Sequence, residues 1–519
     1  MPASPMVSPA LPTRAKIIAT LGPASDSPEM IRRLIEAGVA AFRLNFSHGD
    51  LKAHSRRLAT VRSAAADLGR PIAVFGDLCG PKIRLGLVPQ SSGGGLELVS
   101  GQEVVFRKGC THAAVEGAES VAILPTTYPA LIDEVEPGQR ILINDGAIRM
   151  LAVDCGGGEL RCRITSGGPV STGKGINLPD TEIQAPAITD RDWECVAWAV
   201  EQGLDFLALS FVRRADEVRQ LKDRVARASG PRQPASGTLA GPTESPIPII
   251  SKIEKPQAVA NLDAIIDASD AIMVARGDLG VEMDIAQVPI VQKRILQRCQ
   301  AWGKPCIVAT QMLESMITAP GPTRAEASDV ANAVFDGADA VMLSGETAVG
   351  KHPALVVETM RRIIAAAEAR ISELPSHASP PEKLIESRYA TAALAHGAWH
   401  IAKDIGARLI VCWSQAGGTA RYLSQNDFRI PIIAYSSSEL AARRMALLKG
   451  VTAICAKAPA GLGDFTNLAE RGMLARGWVG PGDPVVLLAG KPLGQAKATN
   501  SIAILNIGDP IGGYRSHKS

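Results

Sequence analysis

Eight short apolar runs, most of them followed by a helix-length pattern and each leading into polar residues, constrain this chain more than any other feature. They are KIIATLG from Lys16, AAFRLN from Ala40, IAVFGD from Ile72, FLALS from Phe206, IPIISKIE from Ile247, AIMVA from Ala271, CIVAT from Cys306 and AVMLS from Ala340. Helical periodicity predicts helices over Pro28–Ala37, Leu51–Leu68, Ala215–Ala228, Gln257–Ala268, Val288–Trp302 and Ala325–Phe335. Strands alternating with helices mean βαβ units and a parallel sheet. Eight such units fit a closed (β/α)8 TIM barrel, in which working groups stand at the C-terminal ends of the strands. The runs end at Arg43 and Asn45, Asp77, Ser210, Lys252 and Glu254, Arg276 and Asp278, Thr310 and Gln311, and Ser344 and Glu346. Turn and cap chemistry accounts for any one of these, but a purely structural barrel has no need of the repetition.

The fifth run contains Lys252-Ile253-Glu254. Strand side chains repeat every second residue, so Lys252 and Glu254 leave the same face. The sixth run leads into Arg276-Gly277-Asp278. From the ends of neighbouring strands Glu254 and Asp278 can share one divalent cation, and Lys252 adds fixed positive charge beside it. Such a site suits a phosphorylated anion. In isolation a Lys/Glu pair of this kind is more often a surface ion pair.

With 519 residues the chain has length for roughly three domains. The expected division is a disordered Pro/Ser-rich tail over 1–13, a barrel over 14–84 and 186–370, an insert over 85–185 and a C-terminal domain over 371–519. The insert is rich in glycine and carries β-branched runs such as EVVFR, RILIND and AIRMLAV, which predict a small β-barrel domain seated over the barrel mouth as a lid. Beyond the Pro/Ser-rich stretch ELPSHASPPEK, the strands RLIVCW, IPIIAY, TAICA and PVVLLAG alternate with helices over Glu386–Ile405 and Glu439–Lys449, an α/β domain. The segment Ser229–Ser245 is expected to be a flexible, non-catalytic loop on the far face of the barrel.

Lys+Arg 55 against Asp+Glu 52 leaves a net charge of +3, too balanced to imply a nucleic-acid partner, so any anion site is local. The nine cysteines form no CxxC pair, which argues against a zinc or dithiol site and for free thiols in a reducing compartment. No apolar run approaches a membrane span, and the first residues lack the pattern of a signal peptide, so the expected location is the cytoplasm, with no membrane partner. His396 and His400 stand one helical turn apart without a third ligand in view.

Seven ordered segments carry a resemblance: TLGPAS at Thr20, RLNFSHG at Arg43, KIEKPQ at Lys252, MVARGDLGVE at Met273, ATQMLESM at Ala309, PTRAEASDVANAV at Pro322 and MLSGETA at Met342. Over nearly its whole length the chain resembles the pyruvate kinase family. The resemblance implies transfer of a phosphoryl group from phosphoenolpyruvate to ADP, the last step of glycolysis. It implies that Glu254 and Asp278 bind Mg2+ or Mn2+, and that Lys252 and Arg43 neutralise the moving phosphoryl group. Gly277 and the turn after it, with Asp278 and Thr310, would meet phosphoenolpyruvate, while Thr310 and Ser344 lie on the family's route for protonating the enolate. His48, Arg84, Asp145 and Lys174 match positions near ADP or its phosphates. Ser414, Gly417, Gly418 and Thr419 resemble a loop that holds a sugar-phosphate or nucleotide effector, and a homotetramer is expected from the family.

Asn45, Ser47 and Asp77 match the monovalent-cation pocket of potassium-dependent relatives. In DLCGPKIRLG, however, Leu78, Cys79, Lys82 and Leu85 stand where those relatives usually carry Thr, Lys, Glu and Thr. That departure resembles the potassium-independent branch, in which the ammonium of Lys82 replaces K+. Two other functions fit parts of the pattern. A metal-dependent lyase or aldolase is opposed by the insert and Lys252, and a silent metabolite sensor by the full set Arg43, Lys252, Glu254, Asp278 and Thr310.

Overall fold

The structure, a computed structural model, describes residues 11–89, 96–116, 121–228, 246–374, 380–426 and 429–515. Its centre is a closed barrel of eight parallel strands: Lys16–Thr20, Val39–Asn45, Ala73–Asp77, Phe206–Leu209, Ile249–Ile253, Ala271–Ala275, Cys306–Ala309 and Ala340–Leu343. Each pairs with its neighbours in chain order, and the first pairs with the last. Every run expected to be a strand is one. The continuous apolar runs follow from burial on both faces. Ile18, Phe75, Ile250, Met273, Ile307 and Met342 fill the interior, and a larger shell packs the outer faces against helices.

The helix Pro28–Ala37 illustrates the local logic. Ser27 caps it by accepting from Met30 N–H, Pro28 fits the first turn, and Gly38 ends it at φ 124°. Ile31, Leu34 and Ile35 form its buried stripe. The helix expected over Gln257–Ala268 is instead two pieces, Pro256–Ala260 and Leu262–Ala268, because Asn261 leaves helical geometry at φ −99°, ψ 19°. The sixth strand passes directly into the helix Arg276–Glu282, which lifts Asp278 above the barrel rim. Ser229–Ser245 lies outside the described residues.

The insert is a seven-stranded sheet with a two-stranded ribbon beside it. Among the described residues no continuous ladder closes it. The entering segment supplies the closure instead, through bridges of Arg84 to Gly175, Leu85 to Thr126 and Leu87 to His112. Ile83, Leu85, Phe106, Ile141, Ile148 and Leu160 belong to its core.

The last domain is a five-stranded sheet in the order Val451–Cys455, Ile432–Ser436, Leu409–Trp413, Pro484–Gly490 and Thr499–Asn506, the final strand antiparallel. Its helix Glu439–Met445 delivers two arginines, and the turn after it a plug, to the barrel floor. Arg443 Nε donates to Asp205 Oδ1 at 2.8 Å, Arg444 Nε donates to the Asp205 carbonyl at 3.2 Å, and Leu447 joins the interior cluster. Asp205, fully buried, also accepts from Arg62 and from Val74 N–H. Replacing it leaves two guanidinium groups without their shared carboxylate. Asp205→Ala is expected to lose about 3 kcal/mol of stability in urea unfolding.

Candidate functional site

The charged residues converge at the top of strands two to six. Asp77 lies opposite Ala208 in the register, so Ser210 rises beside it two residues further on. Lys252 Nζ donates to Glu254 Oε1 at 2.7 Å and to Ser210 Oγ at 2.9 Å, and it lies 3.3 Å from Asp77 Oδ1. Those three contacts use all three of its hydrogens. Arg43 Nε donates to the other Asp77 oxygen at 2.7 Å. Lys252 is 8% exposed, while Asp77 and Glu254 are each 1% exposed.

Burial works against the charge of Lys252, but Asp77 and Glu254 outweigh it and hold the ammonium above the usual lysine range. Burial likewise opposes ionisation of Asp77, yet Lys252 and Arg43 hold its carboxyl below the usual range. Glu254 differs. Burial pushes its carboxyl up, Lys252 pulls it down, and Asp278 pushes it up again. Two adjacent carboxylates thus share one ammonium and have room for more positive charge. Hard oxygen donors in that setting fit a divalent cation that keeps other oxygen ligands.

Glu254 Oε2 accepts from Phe211 N–H at 2.6 Å, and Phe211 holds φ 54°. Thr310 and Gln311 sit at φ 70° and 53° above the seventh strand. Left-handed backbone is costly for these residues, most of all for a β-branched threonine, and such strain gathers at working sites. Thr310 Oγ1 accepts from Gly277 N–H at 2.7 Å and donates to the Ala309 carbonyl at 2.6 Å. The Gly277 N–H, expected to face a substrate carboxylate, is therefore engaged by Thr310. Arg276 braces this corner by donating to the Thr310 carbonyl at 2.8 Å and pairing with Asp329 at 2.7 Å. Ser344 follows the eighth strand; its N–H donates to Glu346, and its buried Oγ has no partner among the described residues.

Beside this cluster, Lys82 Nζ donates to Ser47 Oγ at 2.9 Å, and Ser47 lies 3.4 Å from Cys79 Sγ. Asn45 Oδ1 accepts from Ser47 N–H. Partial burial of the Lys82 ammonium, and then Lys252 and Arg84, hold it below the usual range, although Cys79 and Asp77 pull the other way. Partial burial together with Lys82, Arg43 and Arg84 also lowers the His48 ring, which favours neutral imidazole. A cleft of about 330 Å³ between barrel and insert is lined by Lys82, Arg84, Asp145, Lys174 and Asp278 among others. His48 is outside that lining.

Ser414, Gly417, Gly418 and Thr419 lie far from this mouth, in a pocket of about 410 Å³ between the last domain and the barrel floor. Gly417 takes φ 83° at the start of the helix Gly418–Gln425, and Ser414 Oγ accepts from Ala420 N–H. Thr419 and Thr499 hydroxyls meet at 2.6 Å.

Sequence reading gave no role to Ser210, the Phe211 amide, Arg276 or Glu282. Ser210 and Arg276 carry only the signal of a strand-end position, since their partners come from other elements.

A barrel whose mouth gathers carboxylates, a buried lysine and an arginine beneath an inserted β domain fits a (β/α)8 enzyme that handles a phosphorylated anion. The family model described as the pyruvate kinase barrel domain matches residues 12–357, and that of the pyruvate kinase alpha/beta domain matches residues 392–505. The chain is 40% identical over 499 residues to the pyruvate kinase of Mycobacterium intracellulare, covering 96% of this chain and 99% of that protein. It is 39% identical over 499 residues to that of Corynebacterium glutamicum, covering 96% and 98%. The chain belongs to the pyruvate kinase family.

Removing the Ser210 hydroxyl takes one of three acceptors from Lys252. Ser210→Ala is expected to lower kcat about tenfold, the worth of one hydrogen bond to a charged group, when steady-state turnover is measured.

Proposed function

We propose that the barrel mouth carries out the family's reaction, moving the phosphoryl group of phosphoenolpyruvate to ADP to give pyruvate and ATP. The observation that carries this reading is the buried triad of Lys252, Asp77 and Glu254, with Asp278 beside it. Phosphoryl transfer depends on alignment and on neutralising charge at the moving oxygens. Lys252, held protonated by two carboxylates, is a fixed cation for that purpose. Arg43, oriented by Asp77, presents the rest of its guanidinium to the phosphoryl oxygens. Thr310, locked in strained backbone, sets one wall of the phosphoenolpyruvate site.

Glu254 and Asp278 are the residues that would hold Mg2+ or Mn2+, a Lewis acid that draws charge from phosphoryl and enolate oxygens when bound. Of the two hydroxyls on the expected proton route, that of Thr310 is committed on both sides. Ser344 Oγ has no partner among the described residues, which supports it as the hydroxyl nearer the enolate proton.

The cleft under the insert, with Arg84, Asp145 and Lys174 in its wall, is the ADP site, and the insert is its lid. His48, neutral and just outside, serves as a hydrogen-bonding neighbour of the phosphates. Asn45, Ser47 and Asp77 are remnants of a monovalent-cation pocket, and the Lys82 ammonium against Ser47 takes the place of K+. In the last domain the loop Ser414–Thr419 takes a sugar-phosphate or nucleotide effector, supported by its position over the barrel floor beside Arg421, Arg444 and Lys497. The assembly is a homotetramer. All nine cysteines are free thiols, which supports the cytoplasm as the location, and no described helix is long and apolar enough to cross a membrane.

Pyruvate formation from phosphoenolpyruvate and ADP tests the core of this reading. Activity is expected to require Mg2+ or Mn2+, and Lys252→Met to reduce kcat by about 10²–10³-fold. Retention of wild-type kcat in Lys252→Met contradicts it. Turnover is also expected without added K+, and Lys82→Glu should create a requirement for K+. Collapse of wild-type activity in potassium-free buffer, or a Lys82→Glu enzyme indifferent to K+, contradicts the ammonium substitution.

A further inference from the structure

Insert and barrel meet at a buried point in the wall of the same cleft, where Asn177, Lys255 and Glu282 have no role in the reading above. Glu282, the last residue of the helix that carries Asp278, is 1% exposed. Its Oε1 accepts from Asn177 Nδ2 at 3.0 Å and from Lys255 Nζ at 2.9 Å. Lys255, 5% exposed, follows Glu254 in the chain, and its ammonium lies 6.0 Å from the Phe211 ring centre. Glu282 Oε2 is buried with no partner among the described residues. One turn of the insert packs on the same helix, since a Cβ built on Gly146 lies 3.7 Å from Val281.

The position of Asn177 gives this contact its leverage. The side-chain hydrogen bonds of Gln257 to the Pro179 carbonyl, Arg214 to Glu182, and Arg213 to the carbonyls of Ile183 and Ala185 reach the segment that leaves the insert. Those contacts lie where the chain returns to the barrel. Asn177 instead belongs to the sheet, on a strand whose residues Ile176 and Asn177 pair with Ile143 and Leu142. Asp145 and Lys174, in the cleft wall, are each within three residues of that pairing. Tilting the sheet at Asn177 therefore moves the nucleotide side of the cleft and leaves the barrel floor in place.

We propose that Glu282 is a positioning residue, the post on which the insert docks through Asn177 so that the nucleotide side of the cleft stands at its working height above Asp278. Lys255 Nζ donates to the same Glu282 oxygen and holds it in place for Asn177. The inference rests on the reading of the cleft as the ADP site and of Glu254 with Asp278 as the metal site.

Steady-state kinetics of the full-length enzyme in Mg2+, phosphoenolpyruvate and ADP, with Mn2+ affinity from electron paramagnetic resonance, test it. Asn177→Ala keeps the Lys255–Glu282 pair and is expected to raise KM for ADP about tenfold, with KM for phosphoenolpyruvate and Mn2+ affinity changed less than about twofold. Asn177→Asp sets two carboxylates face to face and should raise KM for ADP further. Adding Glu282→Gln to Asn177→Asp restores one amide against one carboxylate, and should return KM for ADP to within about threefold of wild type. An unchanged KM for ADP in Asn177→Asp, equal losses for both substrates, or a double variant no better than Asn177→Asp overturns the proposal. Glu254→Gln separates the layers. If it loses Mn2+ while the Asn177 variants behave as wild type, the docking post alone is wrong; if it keeps wild-type Mn2+ affinity, the metal-site reading fails and the inference falls with it.

Discussion

A lysine ammonium sealed among carboxylates at the top of the fifth strand sets the terms for everything around it. Desolvating a charge costs several kcal/mol, and only good geometry with every donor used recovers it. Lys252 has that geometry because Asp77, Ser210 and Glu254 come from three different strands locked in register. Removing either carboxylate leaves buried charge uncompensated, and removing Ser210 leaves a donor unused. The barrel is thus the device that makes this charge pattern affordable, and its closed ladder is what holds the pattern fixed.

The fourth strand links the two ends of the molecule. Asp205, just before it, is held by arginines from the last domain. Beyond its other end, Ser210 supports Lys252 and the Phe211 amide supports Glu254. A short, fully buried segment therefore has the last domain on one side and the charged cluster on the other. The sixth strand repeats the arrangement at the insert, since its helix presents Asp278 early and Glu282 late.

Local pattern made much of this legible. Strands buried on both faces, such as Ile249–Ile253, leave an unbroken apolar signature, and residues at their C-terminal ends follow by counting. Lys252 and Glu254 share a face for that reason alone. What remained hidden is set by partners distant in sequence. Thr499–Asn506 carries the apolar run Ile502–Leu505, but its antiparallel place at the sheet edge is set by its partner Pro484–Gly490, distant from any local signal. The insert closes through isolated bridges from Arg84, Leu85 and Leu87, which have no periodicity to detect. The positive φ of Thr310 runs against the preference of a β-branched residue, so tertiary packing imposes it. Leu11, within the segment expected to be a disordered tail, packs on the core of the last domain.

The central claim is that Glu254 and Asp278 together hold one divalent cation beside Lys252. Anomalous diffraction from crystals soaked in Mn2+ tests it most directly. The account predicts a single protein-held peak at the barrel mouth, coordinated by one oxygen or more from each of those two carboxylates. A peak bound elsewhere, or a mouth that stays empty at saturating Mn2+, would contradict it.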